Sequence, residues 1–270
     1  MQVDIDNLAV IYMTTEVNRE RIDQDPPQLP FEPDNALAEQ NLRDSIKASA
    51  YQFDYYKDII QCSILWQGRY YHYMYCDDHE IPNRNLDSDW RKIHVVDFEK
   101  NLVCEVSELI NTMFPTAKGG YPLGGGVIAG WELRTKTWPM LTNKAFGYGC
   151  ITSKTVLTDL MKQYTTVNCL LDISTIYTQG ASPAVRRLPS LADTLKYWGF
   201  TDIEFPLPGE IKEGICRDPI IAAHKIELYL LAMEGVVRQY CGYEMRGDVH
   251  PLVKEVLNAQ ERTGNETTNS

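Results

Sequence analysis

The chain has 270 residues, of which 44% are hydrophobic, so it is long enough to bury a sizeable core. It contains no apolar run of the roughly 18 residues that a membrane-spanning helix needs, which predicts a protein outside the membrane. The formal net charge is −11, from 26 basic and 37 acidic residues, and no basic run occurs, which argues against a tight nonspecific nucleic-acid binder.

Two features bear on the cellular compartment. The chain begins MQVDIDNLAV, with acidic residues where a signal peptide carries basic ones, which predicts a cytoplasmic protein without a secretory signal. The seven cysteines are dispersed and form no C-x-x-C pair. An odd, dispersed set argues against a disulfide framework and against a zinc site, so we expect mostly buried, inert thiols.

The first half of the chain alternates between strand-like and helical patterns. Residues 7–14 form an apolar run typical of a buried strand, and a proline-rich loop (RIDQDPPQLPFEPDN) follows. Residues 35–50 carry helix-forming side chains. Two β-rich runs, 58–66 and 69–76, are separated by Gln67-Gly68, which predicts a hairpin.

The middle of the chain begins with a second predicted loop, CDDHEIPNRNLDSDW. A short strand is predicted at 93–96 and a helix around 97–114. The glycine run GGYPLGGG at 119–126 lacks the ending of a phosphate-binding loop, so we interpret it as a flexible turn. VIAGW is strand-like, and PMLTNKAFGYG predicts a helix with a glycine stop. The apolar residues of the 97–114 helix follow helical spacing: Phe98, Leu102, Val106, Leu109, Ile110 and Met113.

The last third contains one strand-like run and two helical patterns. Residues 168–177 are strand-like, and 190–199 begin with a serine N-cap and end in glycine. A long helix runs from Asp218 to Tyr240, and the polar residues 259–270 predict a disordered tail. The order of elements favours a mixed sheet flanked by helices, within a single domain over residues 1–258.

Three segments, taken in chain order, carry a functional pattern. They are a strand with an acidic turn (LAVIYMTTEVN), a strand, turn and helix (GVIAGWELRTKTWPMLTNKAFGYG), and the start of the last helix (EGICRDPIIAAHKIELYLLAME). Over residues 7–240 this succession resembles the DEDD-type 3′–5′ exonucleases related to the proofreading domain of family B DNA polymerases. The stretch LLDISTIYTQGASPAVRRLPSLADTLKYWGF is similar to the region before the last motif of that group. The resemblance implies an RNase H-like α/β fold.

The first two motifs depart from the pattern of the family. The family's first strand ends in Asp-x-Glu, and both acids hold divalent metals. Here Thr14-Thr15-Glu16 keeps Glu16 alone, and a shift of one residue leaves no acid. In the second motif Trp138-Pro139 fits the frame, but Thr137 stands where the metal-binding aspartate belongs, with Glu132 at the start of the motif.

The third motif is also altered. Ile215 stands where the family has its water-positioning tyrosine, Pro219 stands at the aspartate, and Asp218 lies one residue early. Two-metal phosphodiester cleavage needs several carboxylates, and threonine hydroxyls are poor substitutes for anions. We therefore expect Asp218 to cap the last helix, with Pro219 in its first turn.

A binding protein that has lost catalysis is the leading hypothesis. It would bind a protein partner, or single-stranded nucleic acid without cleavage, in a replication or nucleoprotein context, and it would need no cofactor. Glu16 and Asp218 are the candidate catalytic remnants and the candidate ligands of a weak metal site. The candidate cleft residues are Thr14, Glu132, Thr137, Trp138 and Pro139.

Two alternatives stay open. The first is an active exonuclease dependent on Mg²⁺ or Mn²⁺, with carboxylates relocated to Glu16, Glu132, Asp172 and Asp218. The second is a structural or assembly subunit that uses an aromatic interface. The tyrosines that suggest this interface equally fit the faces of a strand within the sheet: Tyr70, Tyr71, Tyr73 and Tyr75.

Overall fold

A computed structural model describes residues 7–24, 38–42, 44–45, 54–76, 84–113, 127–150, 170–178 and 189–240. The strands are β1 (Leu8–Val17), β2 (Lys57–Trp66), β3 (Arg69–Tyr75), β4 (Arg84–Asp87), β5 (Arg91–Val96), β6 (Val127–Gly130) and β7 (Leu170–Asp172). The helices are α1 (Arg19–Gln24), α2 (Glu99–Met113), α3 (Trp138–Tyr148), α4 (Ile173–Thr178), α5 (Leu191–Tyr197), α6 (Pro208–Arg217) and α7 (Pro219–Tyr240).

The described strands form one mixed sheet in the order β4-β5-β3-β2-β1-β6-β7. β2 pairs in antiparallel orientation with both β1 and β3. On the other side of β1, β6 pairs in parallel with β1, and β7 pairs in parallel with β6. β5 pairs in parallel with β3, and β4 closes that edge in antiparallel orientation. The predicted α/β class, with a mixed sheet flanked by helices, is confirmed.

Helices cover both faces of the sheet because side chains alternate along each strand. On one face, Val10 of β1 packs in a cluster with α5, α6 and α7. On the other face, Ile11 packs in a second cluster with α2 and α3. The long α7 is buried along most of its length, which explains why its sequence is apolar on more than one side.

The predicted hairpin is confirmed. Gln67 and Gly68 connect β2 to β3 with φ of 50° and 73°, the left-handed pair that a two-residue hairpin turn requires. Tyr70, Tyr71 and Tyr73 on β3 are all buried in the two cores. These three tyrosines therefore pack within the sheet and are not available for a surface interface.

Several sequence predictions need correction. Residues 21–24 belong to α1 rather than to the proline-rich loop, and β4 lies within the second predicted loop. The predicted strand at 168–177 ends at Asp172, where α4 begins. Phe98 fits the helical spacing but is 64% exposed, because α2 begins after it at Glu99. Helix α6 was not predicted, since its proline, glycine and charged residues are typical of a loop.

The cysteine prediction is wrong for four residues. Disulfides join Cys76 to Cys216 and Cys104 to Cys150, each between segments far apart in sequence. Parity and local spacing could not reveal these pairs, because the fold alone brings the partners together. Cys62 matches the prediction of a buried free thiol, and its burial raises its pKa.

Some predictions fall outside the described residues. These are the glycine-rich turn at 119–126 and the tail at 259–270; the helix predicted at 35–50 is helical where it is described, at 38–42 and 44–45. No helix in the described part of the chain is both long and apolar enough to cross a bilayer.

Candidate binding cleft

A cleft of about 460 Å³ lies at the carboxyl ends of β1 and β6. The two strands are parallel neighbours, so the segments that leave them meet at the same edge of the sheet. Ligands of open α/β sheets bind at such carboxyl ends. The described lining is Ile11, Tyr12, Met13, Thr14, Thr15, Trp131, Glu132, Lys136, Thr137, Pro189, Ser190, Leu191 and Pro208.

The β1 wall of the cleft contains a bulge. The pairing of β1 with β2 shifts register between Thr14 and Thr15, opposite Gln61 and Ile59. Bulges are common beside functional sites because they change the direction of a side chain. Thr14 is 5% exposed, and its hydroxyl donates to Gln61 Oε1 at 3.0 Å. This hydrogen bond holds the Thr14 side chain against β2.

The wall that follows β6 has an unusual backbone. Glu132 has a φ of 46°, in the left-handed region that non-glycine residues seldom adopt. A π-helical turn over Leu133–Thr137 follows, in which the Thr137 amide donates to the Glu132 carbonyl at 3.1 Å. Single π-turns and left-handed residues are enriched at functional sites. Both features lie on the cleft, which makes it the best candidate site among the described residues.

The third wall comes from the segments before α5 and α6. Ser190 caps α5: its hydroxyl oxygen accepts from the Asp193 amide at 3.1 Å. Pro189 and Leu191 lie beside it, and Pro208 begins α6. These residues add apolar and hydroxyl groups to the cleft but no charge.

A buried chain of hydrogen bonds runs from Thr14 across the sheet. Gln61 Nε2 donates to Ser63 Oγ at 2.5 Å, and the Ser63 hydroxyl contacts His72 Nδ1 at 2.8 Å. His72 Nε2 lies 3.1 Å from Glu227 Oε1 on α7. If each donor serves one acceptor, the partners assign the proton of a neutral His72 to Nε2. A neutral polar row therefore connects Thr14 at the cleft to a buried carboxylate.

Glu227 is the charged end of that row. Arg91 Nε and Nη2 donate to its two oxygens at 2.5 and 2.7 Å. Burial by itself would raise the pKa of Glu227, but the hydrogen bonds from His72 and Arg91 and the charge of Arg91 hold it below its usual value. Burial lowers the pKa of His72 despite the neighbouring carboxylate, which favours the neutral ring.

The two predicted catalytic remnants are engaged away from the cleft lining. Glu16 forms an ion pair with Lys212 of α6. Asp218 Oδ1 accepts from the amides of Ile220 and Ile221 at 3.0 and 3.2 Å, so the predicted capping role is confirmed.

The other predicted residues divide between cleft and core. Thr14, Glu132 and Thr137 line the cleft together. Trp138 is 1% exposed and packs in the core beside α2, and Pro139 lies in the first turn of α3. Neither residue is among the cleft lining, because a helical turn rotates each successive side chain by about 100°.

The donor set of the cleft does not fit the two-metal centre that the resemblance implies. Glu132 is the one carboxylate of the described lining, and Lys136 lies 3.5 Å from it. The other oxygen side chains there are hydroxyls of Thr and Ser and one phenol. Two divalent ions need several anionic oxygen ligands. We therefore derive no metal-dependent step at this cleft.

Sequence reasoning missed part of the lining. Trp131 and Lys136 adjoin the predicted residues Glu132 and Thr137, and Tyr12 lies two residues before Thr14. The π-turn that contains Lys136 has no clear sequence signal. Pro189 and Pro208 reach the cleft through tertiary contacts alone.

The comparisons with known proteins add no family assignment: the chain matches no protein-family model and no curated protein.

Proposed function

We propose that this chain is a binding domain built on the RNase H-like exonuclease plan, and that its cleft holds a segment of a protein partner without cleaving phosphodiester bonds. The replication or nucleoprotein context comes from the motif resemblance. The observation that carries the proposal is the composition of the cleft, in which Thr14, Glu132 and Thr137 occupy the motif positions.

The contacts of the remaining acids support binding over cleavage. Glu16 faces Lys212, Glu132 faces Lys136, and Asp218 caps α7. Asp172 is buried and accepts from the amides of Arg134 and Ser174 at 2.9 and 3.0 Å. Each candidate for a relocated catalytic carboxylate therefore has a structural partner in the described fold.

The chemistry of the cleft favours a peptide over a nucleic-acid strand. Phosphate binding depends on unneutralised Lys and Arg, but the single cation of the described lining lies beside Glu132. Trp131, Tyr12 and the two prolines offer apolar contact area, and the hydroxyls offer hydrogen bonds to peptide groups. Aromatic side chains of this kind dominate the energetics of protein interfaces.

Cleavage is tested first with a 5′-labelled single DNA strand in Mg²⁺ or Mn²⁺. We expect the wild-type protein to digest the strand no faster than Glu16→Ala and Glu132→Gln do. Residual activity shared by all three proteins would come from a contaminating nuclease. Digestion abolished by both substitutions would establish the exonuclease alternative and overturn the proposal.

Partner binding is tested by placing a photo-crosslinking residue at Thr15 in the cleft, with the same residue at Trp90 as the control. Trp90 directly precedes β5, and three strands (β3, β2 and β1) separate β5 from β6 in the sheet. A protein captured from Thr15 and not from Trp90 is then purified and titrated. We expect Trp131→Ala to weaken its binding at least tenfold and Trp90→Ala to leave it unchanged; capture of a nucleic acid alone, or equal capture at both positions, would contradict the proposal.

A further inference from the structure

A second cavity, of about 450 Å³, lies between α1 and α3 and shares no described lining residue with the cleft. Its volume is within the range of small-molecule sites. The lining comes from one face of α3, from α1 and from the turn before β2: Arg21, Tyr55, Asn143, Lys144, Gly147 and Tyr148. We propose that this cavity binds a nucleobase, and the proposal does not depend on the function assigned to the cleft.

The two cations of the described lining each face a carboxylate, which favours a ligand whose recognised part is neutral. Lys144 Nζ lies 2.9 Å from Glu99 Oε1 and 3.5 Å from Asp58 Oδ1. Arg21 Nη2 lies 2.8 Å from the same oxygen, Asp58 Oδ1. Burial would raise the pKa of Asp58, but the Asn18 amide and these cations hold it below its usual value, so the carboxylate stays charged. Two cations thus face two buried carboxylates.

Flat surfaces line the cavity. The ring of Tyr55 is 57% exposed, and the guanidinium of Arg21 lies 5.8 Å from its centroid. Tyr148 is half-buried, and its hydroxyl donates to Glu99, which fixes the ring at the inner wall. Tyrosine rings and guanidinium planes are the groups on which proteins stack unpaired bases.

The carboxamide of Asn143 can form hydrogen bonds with the edge of a base. The Asn143 side chain is exposed at the cavity, and this residue immediately precedes Lys144 on α3. A carboxamide presents one acceptor and one donor side by side, which matches the edge of adenine. An adenine base is therefore the ligand that these lining groups fit best.

Gly147 keeps the cavity open. It lies in the last turn of α3 with a helical backbone, and a Cβ built on it would meet nothing within 4 Å. Glycine at such a position is less favourable for the helix than alanine. Neither backbone conformation nor packing requires glycine here, and a larger side chain at this position would extend into the cavity.

The proposal is tested by titrating adenosine, AMP and ribose 5-phosphate into the full chain. We expect adenosine and AMP to bind with affinities within threefold of each other, and ribose 5-phosphate not to bind. Gly147→Leu fills the cavity and should weaken adenosine binding at least tenfold. The matched control is Gly209→Leu, at a helical glycine of α6 that also has open space around it and lies outside this cavity.

Asn143→Ala removes the hydrogen bonds to the adenine edge without filling the cavity. It should weaken adenosine binding about tenfold while the thermal unfolding temperature stays unchanged. A short oligodeoxyadenylate distinguishes the source of the base: binding tighter than AMP indicates a base within a strand, and binding no tighter indicates a free nucleotide. Absence of adenosine binding at millimolar concentration, or equal binding by wild type, Gly147→Leu and Asn143→Ala, would overturn the proposal.

Discussion

The carboxylate of Glu227 pairs with a buried arginine in the core and is connected to the cleft by hydrogen bonds. Its side chain is 3% exposed and is paired with Arg91, whose side chain is 10% exposed. Through His72, Ser63 and Gln61 the same carboxylate is connected to Thr14 at the cleft. Removing the charge leaves a buried guanidinium without its counterion, which is among the more costly changes a core can undergo.

We predict that Glu227→Gln lowers the free energy of unfolding by about 3 kcal/mol at neutral pH. Glu234→Gln, on the same helix, is the control: it removes an i, i+4 pair with Arg238 that is closer to solvent and should cost less than about 1 kcal/mol. Urea denaturation of the three proteins measures the difference. Equal costs for the two substitutions would show that the buried Glu227–Arg91 pair stabilises the fold no more than the Glu234–Arg238 pair does.

The same substitution has a pH signature. The pKa of Glu227 lies below its usual 4.5 in the folded protein. Its contribution to stability is therefore fully present above about pH 4.5 and is lost as the pH falls through the lowered folded value. We expect the gap in unfolding free energy between wild type and Glu227→Gln to shrink as the pH falls below 4.5. A gap that stays the same below pH 4.5 would contradict the direction of the pKa shift.

At the scale of elements, the start of α7 tests whether Asp218 is a cap or a metal ligand. Loss of an aspartate cap costs about 0.5 to 2 kcal/mol, whereas asparagine retains most of the capping energy. We predict that Asp218→Ala destabilises the protein by this amount, that Asp218→Asn restores most of it, and that neither effect depends on Mg²⁺. Thermal unfolding with Mg²⁺ and with EDTA measures all three; a loss seen in Asp218→Asn and only with Mg²⁺ would indicate a metal ligand.

The contact between β1 and β6 forms the base of the cleft and depends on a glycine. A Cβ at Gly130 would lie 2.9 Å from the Ile11 carbonyl oxygen and 3.0 Å from its Cγ2. We predict that Gly130→Ala costs about 1 to 3 kcal/mol, because two paired backbones must separate. Gly209→Ala, where a Cβ meets no atom within 4 Å, should be neutral or slightly stabilising in the same denaturation assay. A Gly130→Ala variant as stable as the wild type would mean that β6 and β1 leave room for a Cβ at this position.

Elements with strong local signals were predictable, and those set by tertiary contacts were not. The Gln67-Gly68 turn, the Ser190 cap and the Gly149 stop each have a residue type that its backbone angle or hydrogen bond requires. Helix α6 and strand β4 lack such signals, because packing on α7 and pairing with β5 stabilise them. The π-turn after β6 depends on a left-handed Glu132, a conformation that propensities do not favour.

At the scale of the whole molecule, the position of the cleft could be predicted better than the identity of the residues that line it. The motif frame identified Thr14, Glu132 and Thr137, which converge from two strands. It could not show that Trp138 faces the core, because a π-turn changes the phase of the helix that follows. Nor could it place Pro189 and Pro208, which come from segments outside the three motifs.

One disulfide lies on each face of the sheet. Both disulfides also bear on the predicted cytoplasmic location. Cys76 at the end of β3 is bonded to Cys216 of α6 across 140 residues of chain, and Cys104 of α2 is bonded to Cys150 after α3 across 46. Disulfides persist in oxidising compartments and are rare in the cytosol. The oxidation state of these four cysteines in the native protein therefore tests both the pairing and the compartment.

We predict that non-reducing peptide mapping of the protein purified under alkylating conditions finds both bridges, with Cys62 unmodified until the protein unfolds. Cys76→Ser should lower the free energy of unfolding by about 2 to 4 kcal/mol, because the unfolded chain regains the entropy of a long loop. The double variant Cys76→Ser/Cys216→Ser should cost no more than the single one, since the first substitution already breaks the bridge. Alkylation of all four cysteines when the protein is unfolded without reductant, with no effect of reductant on unfolding, would instead show that they are thiols and would agree with the cytoplasmic prediction.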